Sequence, residues 1–306
     1  MKRIFVLVLT TFILLGILCS CNVKTDKNAD NGKLNVVTTI FPYYDFAKNI
    51  AGDKVNIELL LSPGSEPHHF EPTPSQIVSI ENCDLFIYTG GENDKWAQSI
   101  VDSLDSDIKV LKLIDCVETY KEEEIDKTQK DTIDEHIWTS PKNAIDISKS
   151  ISKEIQTIDK ENIDYYKSNE ESYIEKLSSL DNKFKEIVSN GNTDKVVFGD
   201  RFPILYFTKQ YNLDYECAFP GCSHETEPSI STVNRLIDIV KDEKIPVVFY
   251  LDFSNQSVAN LLCEDTGAKS MVYHSCHNVS ADDFEKGVSY ISLMEENAEA
   301  LKEALK

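Results

Sequence analysis

Positively charged residues are in short supply in this chain. Its 306 residues include 31 lysines and arginines against 52 aspartates and glutamates, for a formal net charge of −21. Such a chain repels nucleic acid and anionic lipid headgroups, because both carry negative charge. The composition therefore argues against nucleic acid as a partner.

Long apolar runs are also missing, with one exception at the N-terminus. Two basic residues precede an apolar run over residues 4–18, which ends in Leu18-Cys19-Ser20-Cys21. Charge, apolar core and small residues in this order are typical of a secretory signal. The ending also resembles a bacterial lipobox. We therefore predict that residues 1–20 are removed and that Cys21 is lipidated; ordinary signal cleavage is the alternative.

The residues after the signal indicate an anchored protein outside the cytoplasm. Residues 21–33 are polar and typical of a flexible tether, and no later apolar stretch is long enough to cross a bilayer. Loss of residues 1–20 would change the net charge to −23. The prediction is an extracytoplasmic protein, lipid-anchored to the outer face of the bacterial cytoplasmic membrane.

Strand-like and helix-like patterns alternate in two separate parts of the chain. β-rich runs cover residues 34–40, 55–61, 84–88, 195–198, 247–251 and 269–273. Helical patterns lie between them at residues 43–51, 74–82, 203–211, 229–242 and 257–266. Strands that alternate with helices predict parallel sheets. About 285 residues after the signal are enough for two modest lobes.

Glycine is missing from the segment between the two parts. Residues 140–189 contain no glycine, and their apolar residues recur at a spacing of three to four, which predicts helix. A break near residues 159–162 divides the segment into two helices. The predicted domains are an N-terminal α/β lobe (34–142), a linking helical segment (143–192) and a C-terminal α/β lobe (193–306).

Histidine is scarce, and every copy lies in loop-like surroundings. The six histidines are His68, His69, His136, His224, His274 and His277. Each lies within a few residues of proline, glycine, cysteine or an acidic residue, and none falls on an apolar helical face. Because neutral imidazole is the commonest zinc ligand in proteins, we interpret this set as metal-binding. Ordinary surface or turn histidines are the alternative.

Three short motifs resemble those of one protein family. They are Thr38-Thr39-Ile40-Phe41-Pro42, Pro67-His68-His69-Phe70-Glu71-Pro72 and Glu135-His136-Ile137-Trp138-Thr139-Ser140-Pro141-Lys142-Asn143-Ala144. The second resembles the family pattern P-H-x-F-E-P, and the third resembles P-H-x-W-x-S-P-x-N-A. Over about residues 34–306 the chain is similar to the zinc- and manganese-specific solute-binding lipoproteins of bacterial ABC importers.

The resemblance implies an architecture and a role. The fold would be two α/β lobes, each with a mainly parallel sheet flanked by helices, joined by a long rigid helix with the metal site in the cleft. The protein would be a monomer and not an enzyme. It would capture a divalent metal ion, zinc rather than manganese, and deliver it to an ABC permease and its ATPase. Imidazoles with at most one carboxylate suit zinc, whereas more carboxylates would favour manganese.

In the N-terminal lobe, the resemblance implies that His68 and His136 are metal ligands. His69 falls at the family's variable position and is the weaker candidate. Glu71 and Glu135 could accept hydrogen bonds from the ring N–H groups and so orient the imidazoles. Simple exposure of these two acidic residues is the alternative.

The C-terminal lobe departs from the family pattern. Gly199 stands where the family has its third ligand, and Asp200 could replace it unless Arg201 neutralises its charge. His274 aligns with the fourth ligand position and is the main candidate there, with His277 as the alternative. One of these histidines could instead cap a helix or form a hydrogen bond across the cleft.

Two cysteines lie beside the predicted ligand segments of the C-terminal lobe. In an exported protein such thiols pair more often than they bind metal, so a Cys222–Cys276 disulfide is predicted. Pairing of Cys222 with Cys217, or zinc ligation by a thiolate, stays open. Cys83, Cys116 and Cys263 are predicted to be small buried residues.

Other features of related proteins are missing. Many zinc-specific relatives carry a histidine-rich loop before the second ligand motif, but residues 118–135 are acidic and contain no histidine. A secreted zinc hydrolase, the first alternative function, would need an open coordination position and a general base. The chain has neither an H-E-x-x-H nor a G-x-S-x-G motif. A surface adhesin is the second alternative, and no large aromatic or basic patch supports it.

Overall fold

The computed structural model describes residues 32–67, 70–92, 94–104, 108–122, 126, 131–221 and 228–306. The predicted signal sequence, the predicted lipidation site Cys21 and most of the predicted tether lie outside this part of the chain. Within it, no helix combines the length and the apolar character needed to cross a membrane. Residues from Leu34 to Lys306 form one compact unit.

Four parallel strands form the sheet of the N-terminal lobe, in the spatial order β2-β1-β3-β4. The strands are β1 (Leu34–Thr38), β2 (Val55–Leu59), β3 (Leu85–Tyr88) and β4 (Lys109–Lys112). The helices are α1 (Phe41–Ala51), α2 (Pro74–Glu81) and α3 (Lys95–Val101). All four residues of β3 are buried, as expected for a central strand with both faces covered.

Two long helices link the lobes, α4 (Pro141–Ile158) and α5 (Ile163–Ser189). Ser140 caps α4 by accepting a hydrogen bond from the Asn143 N–H, and Pro141 occupies the first turn, where no N–H is needed. The predicted break near residues 159–162 is confirmed. α5 packs against α4 and α1.

The C-terminal lobe repeats the architecture with a second parallel sheet, in the order β6-β5-β7-β8. Its strands are β5 (Lys195–Arg201), β6 (Asp214–Phe219), β7 (Val247–Leu251) and β8 (Lys269–Tyr273). Its helices are α6 (Leu205–Tyr211), α7 (Ile230–Asp242), α8 (Ser257–Thr266), α9 (Ala281–Glu285) and α10 (Tyr290–Ala304). The predicted fold class, two α/β lobes with parallel sheets, is confirmed.

One hydrophobic core extends through both lobes. It contains Phe46 of α1, Trp138, Phe184 of α5, and Phe198 and Tyr273 of the second sheet. α10 packs against both α5 and β8, so the last helix joins the linking segment to the C-terminal sheet. This shared core holds the segments before α4 and after β8 side by side, and those segments carry two of the predicted ligands.

Candidate metal centre

Two imidazoles meet between the lobes, on His136 and His277. Their ring centroids lie 5.8 Å apart and their planes are nearly perpendicular, at 88°. Two imidazoles on one tetrahedral zinc ion have centroids about 5 Å apart, because each Zn–N bond measures about 2.0–2.1 Å. The pair is therefore close to the spacing that a shared metal ion requires.

Trp138 packs against both rings. Its ring centroid lies 4.6 Å from that of His277 and 5.4 Å from that of His136. Its Nε1–H donates a hydrogen bond to the Ser275 carbonyl at 2.9 Å, and its own carbonyl accepts one from the Tyr290 hydroxyl at 2.8 Å. Trp138 is thus tied to the C-terminal lobe at two points, which fixes the indole between the histidines.

Asp134 orients the ring of His136. Its Oδ1 accepts a hydrogen bond from the His136 backbone N–H at 2.8 Å and lies 3.2 Å from the ring Nδ1. Asp134 is buried, and its carbonyl accepts a bond from the Tyr206 hydroxyl at 2.7 Å. A carboxylate that accepts the Nδ1–H bond fixes the tautomer and leaves Nε2 as the metal-binding atom. Sequence reasoning gave this role to Glu71 or Glu135 and missed Asp134, although an acidic residue two positions before the histidine was a visible signal.

His277 lies in a segment that contacts both lobes. Within the C-terminal lobe, Asp252 Oδ1 accepts a hydrogen bond from the Ser275 N–H at 2.7 Å, and burial raises the pKa of the Asp252 carboxyl. Towards the N-terminal lobe, the side-chain amide of Asn278 donates to two carbonyls of the loop that leads to Pro67. The position of His277 therefore depends on hydrogen bonds in two directions.

His274 belongs to a different environment from His277. Its backbone N–H and carbonyl both bond to the side-chain amide of Asn297 on α10, at 2.7 and 2.8 Å. Its ring Nε2 lies 3.1 Å from the exposed Glu296 carboxylate. Between the two histidines, Cys276 has a left-handed backbone with φ 57°, which turns the chain so that the second one faces the indole of Trp138. The ring of His277 thus lies against His136 and Trp138, whereas the ring of the predicted ligand His274 lies beside Glu296.

Asp200 is buried at the end of β5, where the backbone uses its carboxylate. Oδ2 accepts a hydrogen bond from the Leu251 N–H at 3.1 Å, and Oδ1 accepts one from the Arg201 N–H at 2.8 Å. The Nε of Arg201 lies 3.8 Å from Oδ1. These contacts stabilise the ends of β5 and β7. A role of Asp200 as the third ligand stays a prediction.

Gly199, where the resemblance implies a third ligand position, is closely packed. A Cβ at this position would lie 2.5 Å from the Ala259 Cα and 2.7 Å from its backbone nitrogen, distances that side chains do not tolerate. α8 therefore approaches β5 too closely for residue 199 to carry any side chain. The glycine at this position therefore serves the packing of α8 against the sheet.

Cys276 is a free, fully buried thiol. Burial raises the pKa of this thiol well above its usual value. Its predicted partner Cys222 lies outside the described residues, so the Cys222–Cys276 disulfide stays a prediction. Cys83 is buried as predicted, whereas Cys116 and Cys263 are only partly buried.

A small cavity opens beside the imidazole pair. Its volume is about 20 Å³, which is enough for one ion or one water molecule and too small for an organic substrate. Most of the residues that line it belong to the N-terminal lobe. They are Thr39, Ile40, Leu61, Pro67, Phe70, Thr89, Asp94, Trp96, Glu135, Trp138 and His277.

The described residues alone do not complete a metal site. Among them, no three His, Cys, Asp or Glu side chains stand close enough together to hold a metal ion. The predicted ligand His68 and its neighbour His69 lie outside this part of the chain, directly after Pro67, which lines the cavity. The described part of the chain contributes two imidazoles to the candidate metal site, those of His136 and His277.

A family model matches almost the whole chain. It is ZnuA, the periplasmic component A of the zinc-uptake complex, and it matches residues 36–304. The chain belongs to the ZnuA family. The family resemblance inferred from the motifs is confirmed.

Individual relatives agree with this assignment. The chain is 32% identical over 312 residues to the zinc-binding lipoprotein AdcA of Streptococcus pneumoniae, covering 99% of the chain but 61% of AdcA. It is 30% identical over 308 residues to the high-affinity zinc uptake system protein ZnuA of Bacillus subtilis, covering 96% of the chain and 94% of that protein. The chain thus spans less than two thirds of the pneumococcal relative.

A solved ZnuA-family structure has the same fold. The Zn(II)-bound ZnuA-like domain of Streptococcus pneumoniae AdcA superposes with a TM-score of 0.77 at 31% identity. The match covers 90% of this chain and 99% of that domain.

Proposed function

We propose that this protein is an extracytoplasmic solute-binding lipoprotein that captures one zinc ion and delivers it to an ABC permease and its ATPase. The observation that carries the proposal is the pair of imidazoles on His136 and His277, beside a cavity of about 20 Å³. A cavity of this size admits an ion and excludes a peptide, a sugar or a nucleotide. The names of the relatives, a zinc-binding lipoprotein and a zinc uptake system protein, support the same role.

The proposed ligands are His68, His136 and His277. His68 carries the family motif and follows Pro67 at the cavity wall. His136 is held in the metal-binding tautomer by Asp134. A donor set of three nitrogens favours zinc over manganese, which prefers oxygen ligands. Lipidation of Cys21 would keep the zinc-loaded protein close to the permease.

Zinc binding by single variants tests this ligand set. Zinc is titrated into the metal-free protein and into His68→Ala, His136→Ala and His277→Ala. His274→Ala is the matched control, because it removes a histidine of the same segment that does not line the cavity. The wild type should bind one zinc ion per chain, and each of the first three variants should bind at least about 100-fold more weakly, since loss of a mere supporting contact already costs 10- to 100-fold. The control should stay within a few-fold of the wild type.

Two outcomes would contradict the proposal in different ways. Failure of the wild type to bind any zinc ion would overturn the function. Wild-type affinity in His277→Ala, with a loss in His274→Ala, would leave the function in place and move the ligand to His274. Metal analysis of protein purified without a chelator shows which ion the site retains.

A further inference from the structure

Asp252 lies where the carboxyl ends of two neighbouring strands meet. β7 ends at Leu251, which pairs in the sheet with Tyr273, the last residue of β8. Residues that follow neighbouring parallel strands share one edge of the sheet, the edge where α/β proteins bind their ligands. Asp252 therefore stands beside the segment that follows β8, and its Oδ1 accepts a hydrogen bond from the Ser275 N–H at 2.7 Å.

The strand that leads to Asp252 is itself fixed on its other side. β7 lies between β5 and β8 in the sheet. At the end of β5, Asp200 Oδ2 accepts a hydrogen bond from the Leu251 N–H at 3.1 Å. Two carboxylates thus tie together the carboxyl ends of three adjacent strands. Because groups held by strands are placed more precisely than groups held by loops alone, this edge of the sheet is a firm support for the segment after β8.

Ser275 uses each of its polar groups beside the imidazole pair. In addition to the N–H bond to Asp252, its carbonyl accepts a hydrogen bond from the Trp138 Nε1–H at 2.9 Å. Its hydroxyl donates to Asp252 Oδ2 at 3.5 Å, and its Oγ accepts from the His277 N–H at 3.3 Å. A carboxylate only accepts hydrogen bonds, so it draws the hydroxyl hydrogen towards itself and leaves the oxygen to receive the His277 N–H.

The turn between Ser275 and His277 needs this support. Cys276 has a left-handed backbone with φ 57°, a conformation that is unfavourable for a residue with a side chain. The bond from the His277 N–H to the Ser275 Oγ closes the turn across Cys276 and so stabilises it. This turn carries the ring of His277 to its place 5.8 Å from that of His136.

We propose that Asp252 and Ser275 are positioning residues of the metal centre. Asp252 fixes Ser275 against the C-terminal sheet, and Ser275 in turn sets the position of the His277 ring relative to that of His136. Both residues act through His277 and not as ligands of the ion. This inference rests on the proposed zinc-binding function.

Removal of the Ser275 hydroxyl is the first test. Ser275→Ala keeps the backbone bonds of this residue, and it should weaken zinc binding by about 10-fold, the lower end of the effect of losing a group that supports a metal ligand. Ser275→Thr keeps a hydroxyl and should stay within a few-fold of the wild type. Ser254→Ala is the matched control. The Ser254 Oγ also accepts the N–H of the residue two positions on, Gln256, at 3.1 Å, but in a loop without a histidine.

The charge of Asp252 is the second test. In Asp252→Asn the side-chain carbonyl can still accept the Ser275 N–H, but the amide nitrogen cannot accept a bond from the Ser275 hydroxyl. Zinc binding should again weaken by about 10-fold. Because both changes break the same chain of bonds, the double variant should bind zinc only slightly more weakly than Ser275→Ala.

A double-mutant cycle shows whether Ser275 acts through His277. In a His277→Ala background, Ser275→Ala should no longer weaken zinc binding, because no imidazole is left to position. The visible spectrum of the cobalt-loaded protein reports the coordination of the ion, and it should change in Ser275→Ala but not in Ser254→Ala. Urea unfolding of the metal-free proteins shows whether each variant folds. A merely structural role would lower stability and leave the cobalt spectrum unchanged.

The outcomes distinguish this inference from the proposed function. Unchanged affinity in Ser275→Ala and Asp252→Asn, in a wild type that binds zinc, would overturn the inference alone. The same holds for an equal loss from Ser275→Ala with and without the His277 side chain, and for wild-type affinity in His277→Ala. If Ser275→Ala does not fold, Asp252→Asn takes its place in the cycle. Failure of the wild type to bind zinc would overturn the proposed function itself.

Discussion

The side-chain amide of Asn278 donates a hydrogen bond to the backbone carbonyl of Ser65, 2.9 Å away, and so joins the two lobes directly beside His277. The same amide donates to the Ser62 carbonyl, also at 2.9 Å. A third hydrogen bond is donated in the opposite direction, from the Gly64 N–H to the Val279 carbonyl, at 2.7 Å. The loop that leads to Pro67 is thus attached to the segment that carries His277.

Replacement of Asn278 by Asp should loosen this junction. Aspartate keeps the shape but loses both N–H donors, which leaves the carbonyls of Ser62 and Ser65 without these partners and places a carboxylate at a buried position. The free energy of unfolding should fall by about 1–3 kcal/mol, and zinc should dissociate faster. Urea unfolding and stopped-flow transfer of zinc to a chelator measure the two effects.

A matched control exists for this variant. Asn255 is exposed and accepts a hydrogen bond from the Ser257 N–H through its Oδ1, which aspartate can also do. Asn255→Asp should therefore leave stability and dissociation rate unchanged. If Asn278→Asp loses stability but releases zinc at the wild-type rate, the junction stabilises the fold without holding the site together.

A methyl group at position 91 should displace Glu135 from the cavity. The added Cβ of Gly91→Ala would overlap the Glu135 side chain, at 2.2 Å from its Cγ. We expect weaker zinc binding and lower stability, and we expect both effects to vanish when Gly91→Ala is made in a Glu135→Ala background. This double-mutant cycle isolates the contact between the two residues. Equal effects in both backgrounds would show that the glycine serves a different purpose.

A side chain at position 199 should destabilise the C-terminal lobe. Gly199→Ala forces a Cβ against the backbone of Ala259, so we expect a loss of about 1–3 kcal/mol in urea unfolding, the usual cost of overpacking. Gly191→Ala is a suitable comparison, because the nearest atoms to its added Cβ are 3.0 Å away. Gly199→His restores the residue type of the family's third ligand, yet should not raise zinc affinity. A rise would mean that α8 can move aside.

Much of the fold could be predicted from the sequence, because its central strands are short apolar runs with helical periodicity between them. The helices α3, α9 and α10 were not predicted. Among the strands, the exceptions are β4 and β6, which both lie at a sheet edge. β4 begins and ends with lysine and β6 carries two acidic residues, so neither has the uninterrupted apolar run of a covered strand. The break between α4 and α5 was predictable because the apolar spacing stops there.

The site was only partly predictable, because its C-terminal half depends on tertiary contacts. His136 stood in a distinctive motif. The choice between His274 and His277 could not be made from spacing, since it depends on the left-handed backbone of Cys276 and on the bonds from Asn297 to His274. The glycine at position 199 was visible in the sequence, but its contact with α8 was not.

Asp45 of α1 places a carboxylate where three helices meet. It is 8% exposed, and its Oδ2 accepts hydrogen bonds from the Tyr173 hydroxyl of α5 at 3.1 Å and from the Tyr290 N–H of α10 at 3.2 Å. Burial raises the pKa of its carboxyl from 3.8 to about 6, and the bonds from Tyr290 and Tyr173 offset part of that rise. Since a raised pKa means that the folded state binds the proton more tightly, Asp45 supports folding most when it is protonated.

Asp45→Asn should therefore change how the stability of the metal-free protein depends on pH. The contribution of Asp45 is fully present below pH 3.8 and is lost as pH rises through about 6. A shift of two pKa units corresponds to about 3 kcal/mol, so the wild type should lose up to that amount relative to Asp45→Asn between pH 4 and pH 7.5. Urea unfolding of both proteins at several pH values, with a chelator present, measures the difference. If the difference in the free energy of unfolding between the two proteins stays constant with pH, Asp45 titrates alike in the folded and unfolded states. If the wild type instead gains stability relative to Asp45→Asn as pH rises, the bonds from Tyr173 and Tyr290 outweigh the burial of Asp45.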